Sequence, residues 1–333
     1  SDRGRATADP RWRTNLDRLT GRKVQAGGNR AGYSPDEFNI ENILAGRVLF
    51  GLSEKPGDRF DRALDRLGGQ LARHPRTEAG NYWHKKIYPD QVWLDGLYMG
   101  LPFQIEYGLA RGRPELVEDA VRQMLGAVAI MRDAATGLYF HGYDASRAAP
   151  WCNQATGLSE GLWGRTNGWL ALALIDAYAL LPATYPARTE IEKRVLGLAE
   201  AILAQRTSNG LWLQVMDKPR LEGNYEETSS SAMFTYFLLR TARLIAGGAG
   251  YAEEAGEALA ALVRRHVRRS GDVWQLGNVC EVAGLGGFQG RQRDGTPAYY
   301  VSEKVVANDP KGVGPLMMAV AEAELAASTA DVV

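Results

Sequence analysis

Residues 162–181 read LWGRTNGWLALALIDAYALL, a stretch in which apolar side chains recur at helical spacing. A long segment rich in aromatic and polar residues, 133–161, precedes it, and a short connection follows Leu181. The pattern predicts a helix that begins just after a long functional loop and ends in a tight turn. The same alternation of long and short connections recurs along the chain.

Apolar periodicity predicts helices throughout and almost no strand. The predicted helices span residues 39–52, 59–73, 94–109, 114–132, 162–181, 187–205, 229–246, 252–268 and 313–326. The long connections span residues 74–93, 133–161, 206–228 and 269–312. Helical hairpins joined at one end by short turns collect their long loops on one face. We therefore expect an all-α fold, an (α/α)6 barrel, with its ligand at the face of long loops.

A ring of six hairpins needs twelve helices, and the periodicity marks fewer. Either the remaining helices lie within residues 10–20, 136–141 and 271–312, or the ring is irregular. No Ser/Gly-rich linker divides the chain, so a single domain is predicted. Residues 1–35 are expected to form an irregular N-terminal extension, and residues 36–333 the barrel-shaped catalytic domain.

Composition excludes several functional classes. The 39 basic and 39 acidic residues cancel, so we expect no nucleic-acid partner and no membrane partner, and an acidic ligand requires a local basic site. Two cysteines and four histidines, in no ligand-like spacing, predict no metal and no cofactor. No apolar run reaches the ~20 residues of a membrane span, so a soluble protein is expected. With no apolar leader after Ser1, the compartment stays open between cytoplasm and periplasm, as does the oligomeric state.

Two carboxylates stand out as catalytic candidates. Asp95 lies between Trp93 and Gly96 where a helix begins, and a carboxylate among aromatics is costly to bury. Asp144 follows His141 within the long loop 133–161. From local sequence alone, Asp144 is equally well explained as a turn or helix-cap residue.

Further side chains around these carboxylates are of the types that bind sugars. Arg and Asn supply donors for carboxylates and hydroxyls, Trp supplies a stacking face, and His and Lys supply positive charge. No Gly-rich phosphate loop follows a strand, which favours a carbohydrate over a nucleotide. Trp212 is equally compatible with a core position. The candidate binding residues are His84, Lys85, His141, Arg165, Asn167, Trp169, Trp212 and Gln214.

Several motifs, in order from about residue 36 to 327, resemble glycoside hydrolase family 105, the unsaturated rhamnogalacturonyl hydrolases, which are related to the family 88 unsaturated glucuronyl hydrolases. The motifs are WLDGLYM at 93–99, HGYD at 141–144, WGRTNGW at 163–169, ETSSSAM at 227–233, VCEVAGLG at 279–286, YVSE at 300–303 and NDPKGVG at 308–314. The resemblance implies an (α/α)6 barrel with Asp144 as general acid/base and Asp95 as the second essential carboxylate.

The resemblance also implies the reaction. The substrate is a small acidic oligosaccharide released by a polysaccharide lyase, such as one from pectin, rhamnogalacturonan or ulvan. Its terminal 4,5-unsaturated uronic acid is hydrated and leaves as a keto-uronate. Two alternatives remain at this point: a polysaccharide lyase or sugar epimerase on the same toroid, and a non-catalytic glycan-binding toroid.

Overall fold

The computed structural model describes residues 10–330. The chain separates into two compact units, the first ending at Ala127 and the second beginning at Val128. Within the described residues, no helix has the length and apolar character needed to cross a membrane.

Helices dominate both units. The α-helices are α1 Pro10–Thr20, α2 Glu41–Leu44, α3 Arg47–Phe50, α4 Arg59–Arg73, α5 Leu94–Ala110, α6 Pro114–Met131, α7 Gly164–Leu180, α8 Arg188–Ala204, α9 Thr228–Leu244, α10 Tyr251–His266, α11 Pro297–Val301 and α12 Pro310–Ala330. The strands are short: β1 Gln91–Trp93, β2 Gly142–Asp144, β3 Val267–Ser270, β4 Val273–Leu276, β5 Val279–Cys280, β6 Gly286–Phe288, β7 Arg291–Arg293 and β8 Val305–Val306. The all-α prediction is confirmed, with small hairpins added.

In the first unit, α4 and α5 illustrate why these residues form helices. Asp58 caps α4, because its carboxylate accepts hydrogen bonds from the backbone N–H groups of Phe60 at 2.9 Å and Asp61 at 2.8 Å. Helix α5 is buried over most of its length and follows β1 without a loop. A Cβ at Gly100 would lie 2.8 Å from Cδ1 of Ile40, so glycine allows α5 to approach the start of α2.

In the second unit, α9 is the central helix. It packs against α7, α10 and α12, and nearly all of its residues are buried. Its N-cap is Glu227, whose carboxylate accepts from the backbone N–H groups of Ser229 at 3.1 Å and Ser230 at 2.7 Å. Three antiparallel pairs in this unit, β3 with β4, β5 with β8 and β6 with β7, lie in the segment that follows α10.

The structure corrects several helix predictions. The predicted helix at 39–52 is two short helices, α2 and α3, separated at Ala45 and Gly46. Two of the three segments expected to hold the remaining helices do so: α1 covers residues 10–20, and the short α11 lies within 271–312. Residues 136–141 form no helix. Most of 267–293 forms hairpins instead. The proposed division at residue 35 stays a prediction, although α1 and a 3-10 turn at Gly21–Lys23 show that residues 10–35 are not wholly irregular.

The close approach of α7 and α9 gives a testable stability prediction. A Cβ at Gly168 would lie 2.9 Å from Cβ and 2.6 Å from Sδ of Met233. We expect Gly168→Ala to lower the free energy of unfolding by about 1–3 kcal/mol, because the two helices must separate. Gly256→Ala is the matched control: a Cβ at that position in α10 would meet no side chain and no backbone of another element within 4 Å, so alanine should stabilise by up to about 1 kcal/mol. Equal urea midpoints for the two variants would contradict this packing.

Candidate active site

Asp144 ends β2 with its side chain almost fully buried and held by donors from the next eight residues. Its Oδ1 accepts from the backbone N–H of Ser146 at 3.0 Å and from the Ser146 hydroxyl at 2.7 Å. Its Oδ2 accepts from the Ala149 N–H at 2.6 Å, and the Cys152 Sγ lies 3.9 Å away. Burial and the nearby carboxylate raise the pKa of the Cys152 thiol, so it remains a donor. The carboxylate is therefore fixed in one orientation.

Two backbone features close the loop around Asp144. Arg147 adopts a left-handed conformation with φ of 57°, and its N–H donates to the Asp144 carbonyl at 3.1 Å. Gly157 accepts the Asp144 N–H at 2.8 Å, and its own φ is 77°. A Cβ at Gly157 would lie 2.5 Å from the Asp144 carbonyl oxygen. The positive φ of Arg147 is unusual because the residue is not a glycine, and backbone strain of this kind is often found at functional sites.

His141 is buried in an aromatic cluster rather than exposed to a ligand. Its Nδ1 lies 2.7 Å from the Tyr300 hydroxyl, and its ring centroid lies 5.0 Å from that of Trp163. Trp163 and Tyr300 stack with centroids 5.5 Å apart and an interplanar angle of 16°. The cluster supports the chain just before β2, which favours a positioning role for His141 over direct sugar contact.

Three other predicted binding residues are buried and hydrogen-bonded within the protein. Gln214 accepts from the Trp163 indole N–H at 3.0 Å and donates to the Tyr300 carbonyl at 3.0 Å. Asn167 accepts from the Tyr139 N–H at 2.9 Å and donates to two backbone carbonyls. Trp212 donates to a carbonyl of α8 at 2.7 Å, which supports the core position that the sequence left open.

Trp169 lies in the first half of α7 and is also buried, at 7% exposure. Of the predicted tryptophans, neither Trp169 nor Trp212 offers the open stacking platform that sequence reasoning expected.

Arg165 forms a buried ion pair instead of an open anion site. Its Nε donates to the Ser229 hydroxyl at 2.7 Å, and its Nη2 lies 3.4 Å from Glu227 Oε1 and donates to the Cys280 carbonyl. Both charged side chains are at most 1% exposed. Because protein groups surround the guanidinium, the structure favours a structural role over contact with a substrate carboxylate.

In the first unit, Glu41 compensates the positive charge expected from His84 and Lys85. Lys85 Nζ lies 2.7 Å from Glu41 Oε2, and His84 Nε2 lies 3.4 Å from Oε1. Burial raises the pKa of Glu41, but hydrogen bonds and charge from His84 and Lys85 outweigh it and hold that pKa far below its usual range. Burial lowers the pKa of His84, and the neighbouring Glu41 carboxylate opposes the shift. The pair does not supply the free positive charge expected from sequence.

Asp95 lies in the first turn of α5, half-buried, where the helix dipole favours a carboxylate. It is close enough to His84 to influence that imidazole electrostatically. The aromatic frame is present as predicted: His84 stacks on Trp93 with centroids 4.1 Å apart, and Tyr88 stacks on the same indole at 5.1 Å. Asp95 therefore sits beside a rigid aromatic stack.

Sequence reasoning missed four residues that organise these clusters: Glu41, Trp163, Glu227 and Tyr300. Trp163, Glu227 and Tyr300 occur in the motifs that carried the resemblance, so a signal was present without an assigned role. No sequence signal marked Glu41, because its ion pair with Lys85 forms only where the antiparallel bridge between Asn39 and Lys85 brings the two segments together. Across residues 10–330, no three His, Cys, Asp or Glu side chains are grouped so as to hold a metal ion.

Comparison with known proteins places this arrangement in a family. The profile of Glycosyl Hydrolase Family 88 matches residues 4–326. Protein Atu3128 of Agrobacterium fabrum is 53% identical over 237 residues, covering 69% of this chain and 100% of that protein. The unsaturated rhamnogalacturonyl hydrolase YesR of Bacillus subtilis is 28% identical over 215 residues, covering 62% of this chain and 59% of that protein.

A solved structure supports the same family assignment. The glycoside hydrolase from family 105 of C. acetobutylicum ATCC 824 matches with a TM-score of 0.92 and 36% identity, covering 97% of this chain and 90% of that one. The fold and the carboxylate-bearing loops thus define a glycoside hydrolase of the (α/α)6 class. The chain belongs to Glycosyl Hydrolase Family 88, and the resemblance to family 105 is confirmed.

Proposed function

We propose that Asp144 is the proton donor and acceptor of a hydrolase that hydrates the 4,5-double bond of a terminal unsaturated uronic acid. That the chain acts as a hydrolase on unsaturated uronyl substrates follows from its family. The observation that supports the role of Asp144 is its geometry: a buried carboxylate with both oxygens held by donors, at the end of β2. Such fixed orientation is what proton transfer to a carbon atom requires.

The chemistry explains how one carboxyl can serve both half-reactions. A proton moves from Asp144 to C4, the double bond's electrons form the new C4–H bond, and positive charge develops at C5 and the ring oxygen. Water adds to C5 and returns a proton to Asp144. The resulting hemiketal opens: the C5 hydroxyl becomes a ketone, the bond from C5 to the ring oxygen breaks, and the ring oxygen takes up the hydroxyl proton. The hemiacetal left at C1 then collapses to an aldehyde, and the neighbouring sugar leaves with that proton as a free hydroxyl. C4 and C5 are adjacent, so the ~5–9 Å separation of carboxyls in ordinary glycosidases is not needed.

Other residues support this chemistry. His141, Tyr300 and Trp163 hold the chain that leads into β2. Asp95 is proposed as the second carboxylate, binding sugar hydroxyls beside the aromatic stack of Trp93. The substrate is an oligosaccharide, and we propose an acidic one produced by a lyase from a rhamnogalacturonan-type or similar polymer, as the name of YesR suggests.

The test is an absorbance assay on lyase-generated oligosaccharides from pectin, ulvan and related polymers. We expect the ultraviolet absorbance of the conjugated double bond to fall and free keto-uronate to appear. The saturated counterpart of each oligosaccharide is the control and should stay intact. A rise in absorbance would indicate a lyase, and binding without any change in absorbance a non-catalytic protein; either result would contradict the proposal.

A further inference from the structure

An open groove of about 480 Å³ lies in the second unit, where α8 ends and beside the last turns of α10. Residues 206–210, which follow α8, form one wall, and Glu257, Ala260, Ala261 and Arg264 of α10 form the other. The candidate catalytic and binding residues are not part of this lining. A volume of this size accommodates a sugar residue.

Several charged side chains around the groove neutralise each other. Arg206 Nη1 lies 3.1 Å from Glu257 Oε2, and Arg206 Nε donates to the Gly210 carbonyl at 3.1 Å. Arg265 Nε lies 3.2 Å from Glu226 Oε2. These two ion pairs hold the walls in place and contribute no net charge to the groove.

Two further arginines make the groove positive. Arg264 lines it, and Arg268, in β3, donates from Nη1 to the Arg264 carbonyl at 2.7 Å. Both residues are exposed, and within the part of the chain that the structure describes neither pairs with a carboxylate. The next residue, Arg269, has Asp272 at 3.8 Å. A cation in the last turn of a helix offsets the helix dipole, which accounts for Arg264, but Arg268 lies beyond the end of α10.

The chemistry of the lining favours an acidic sugar over other anions. Guanidinium groups bind carboxylates through paired hydrogen bonds. Ser208 and Asn209 are exposed in the same groove and have side chains of the kinds that bond to sugar hydroxyls. Single-stranded nucleic acid is usually bound by aromatic side chains that stack on the bases, and the described lining contains no aromatic residue. A membrane surface would require a larger basic cluster.

We propose that this groove is a second, non-catalytic glycan site, in which Arg264 and Arg268 bind the carboxylate of a uronic acid unit. The inference rests on the proposed function for its class of ligand, an acidic oligosaccharide. It adds a site that holds such a chain apart from the reacting double bond. The chain as a whole carries no net charge, so this local excess of positive charge is what attracts the acidic chain to the groove.

Binding of tetragalacturonate, which has no 4,5-double bond, tests the groove without turnover. In calorimetry on the full chain, Kd should rise about tenfold in Arg264→Gln/Arg268→Gln. Arg122→Gln/Lys193→Gln is the matched control, because it removes two positive charges from exposed positions on α6 and α8 outside the groove, and its Kd should equal that of the wild type. Equal affinity in Arg264→Gln/Arg268→Gln and the wild type, or no binding to the wild type, would overturn the proposal.

Two other ligands test the class of anion. The fully methyl-esterified tetramer has the same sugars without their charge, and its Kd should be about tenfold higher than that of tetragalacturonate. A short oligothymidylate should also bind more weakly than tetragalacturonate. An equal Kd for the methyl ester would refute the role of the two arginines, and an equal or lower Kd for the oligothymidylate would reassign the groove to nucleic acid. Either result would contradict the proposal.

Turnover separates this site from the proposed function. Arg264→Gln/Arg268→Gln should hydrate an unsaturated disaccharide with the kcat/KM of the wild type, because the groove lies outside the candidate active site. A fall in kcat/KM that matched the loss of affinity would place the arginines in the active site and refute a separate glycan site. If the wild type left the disaccharide intact but lost affinity for tetragalacturonate on substitution of the two arginines, the proposed function would fail and the glycan site would stand.

Discussion

Asp144→Asn is expected to lower kcat for loss of the double bond by about 10³-fold, within the range found when a general acid–base is removed. The amide has nearly the shape of the carboxyl group, but it can neither deliver a proton to C4 nor accept one from water. Kinetics with an unsaturated disaccharide, read by loss of ultraviolet absorbance, measure the effect. Full activity in this variant would rule out the proposed mechanism.

The loop geometry dictates the control for Asp144→Asn. In Asp144→Asn, the side-chain NH2 group replaces one carboxylate oxygen and faces N–H donors that need an acceptor. This costs about 1–3 kcal/mol in the free energy of unfolding. Ser146→Ala removes one of these contacts, the hydrogen bond from the Ser146 hydroxyl to Oδ1, and leaves the backbone N–H of Ser146 and the carboxylate in place. We expect it to lose about 1 kcal/mol of stability but only a few-fold in kcat. A loss of activity in Ser146→Ala as large as in Asp144→Asn would show that loop integrity, not proton transfer, is being measured.

Helix periodicity predicted the long helices to within a few residues at most ends because each buries a broad apolar surface. It failed at 39–52, where Gly46 interrupts the helix: a Cβ there would lie 2.3 Å from a Leu67 methyl group and 2.8 Å from the Phe103 ring. Tertiary packing, which a single segment does not encode, decides that break. The hairpin of β3 and β4 was missed because most of its residues are exposed and show no alternating apolar face.

In the candidate site, too, contacts between residues close in sequence were predictable and contacts between distant residues were not. Local sequence indicated a turn or cap at Asp144, and the hydrogen-bond donors of its carboxylate are indeed local: Ser146, Ala149 and Cys152 follow within eight residues. The partners of the other predicted residues are not local. His141 and Tyr300 are separated by 159 positions, and Arg165 and Glu227 by 62. Local sequence shows that a charge is present but not whether another residue neutralises it, so Lys85 and Arg165 were assigned to a ligand when the protein itself pairs them.

The ion pair of Arg165 and Glu227 leads to the largest predicted effect on stability. Glu227 is fully buried, caps α9, and accepts the Cys280 N–H at 3.0 Å as well as the bonds from Ser229 and Ser230. Arg165→Met would keep most of the side-chain volume but leave that carboxylate without its cation. Removing one partner of a buried pair typically costs about 3–5 kcal/mol, and we expect a loss of that size in urea-induced unfolding.

The matched control for Arg165→Met is Arg194→Met. Arg194 pairs with Glu190 at 2.6 Å on the surface of α8, with side chains 36% and 38% exposed, and breaking such a pair costs about 0–1 kcal/mol. The two roles of Arg165 then give different results. A structural cation predicts a large fall in stability, whereas a residue that binds the substrate carboxylate predicts a stable variant with a raised KM. A stable Arg165→Met with a raised KM would return the residue to the binding site, and the anion would then have to reach a guanidinium that the folded protein almost completely encloses.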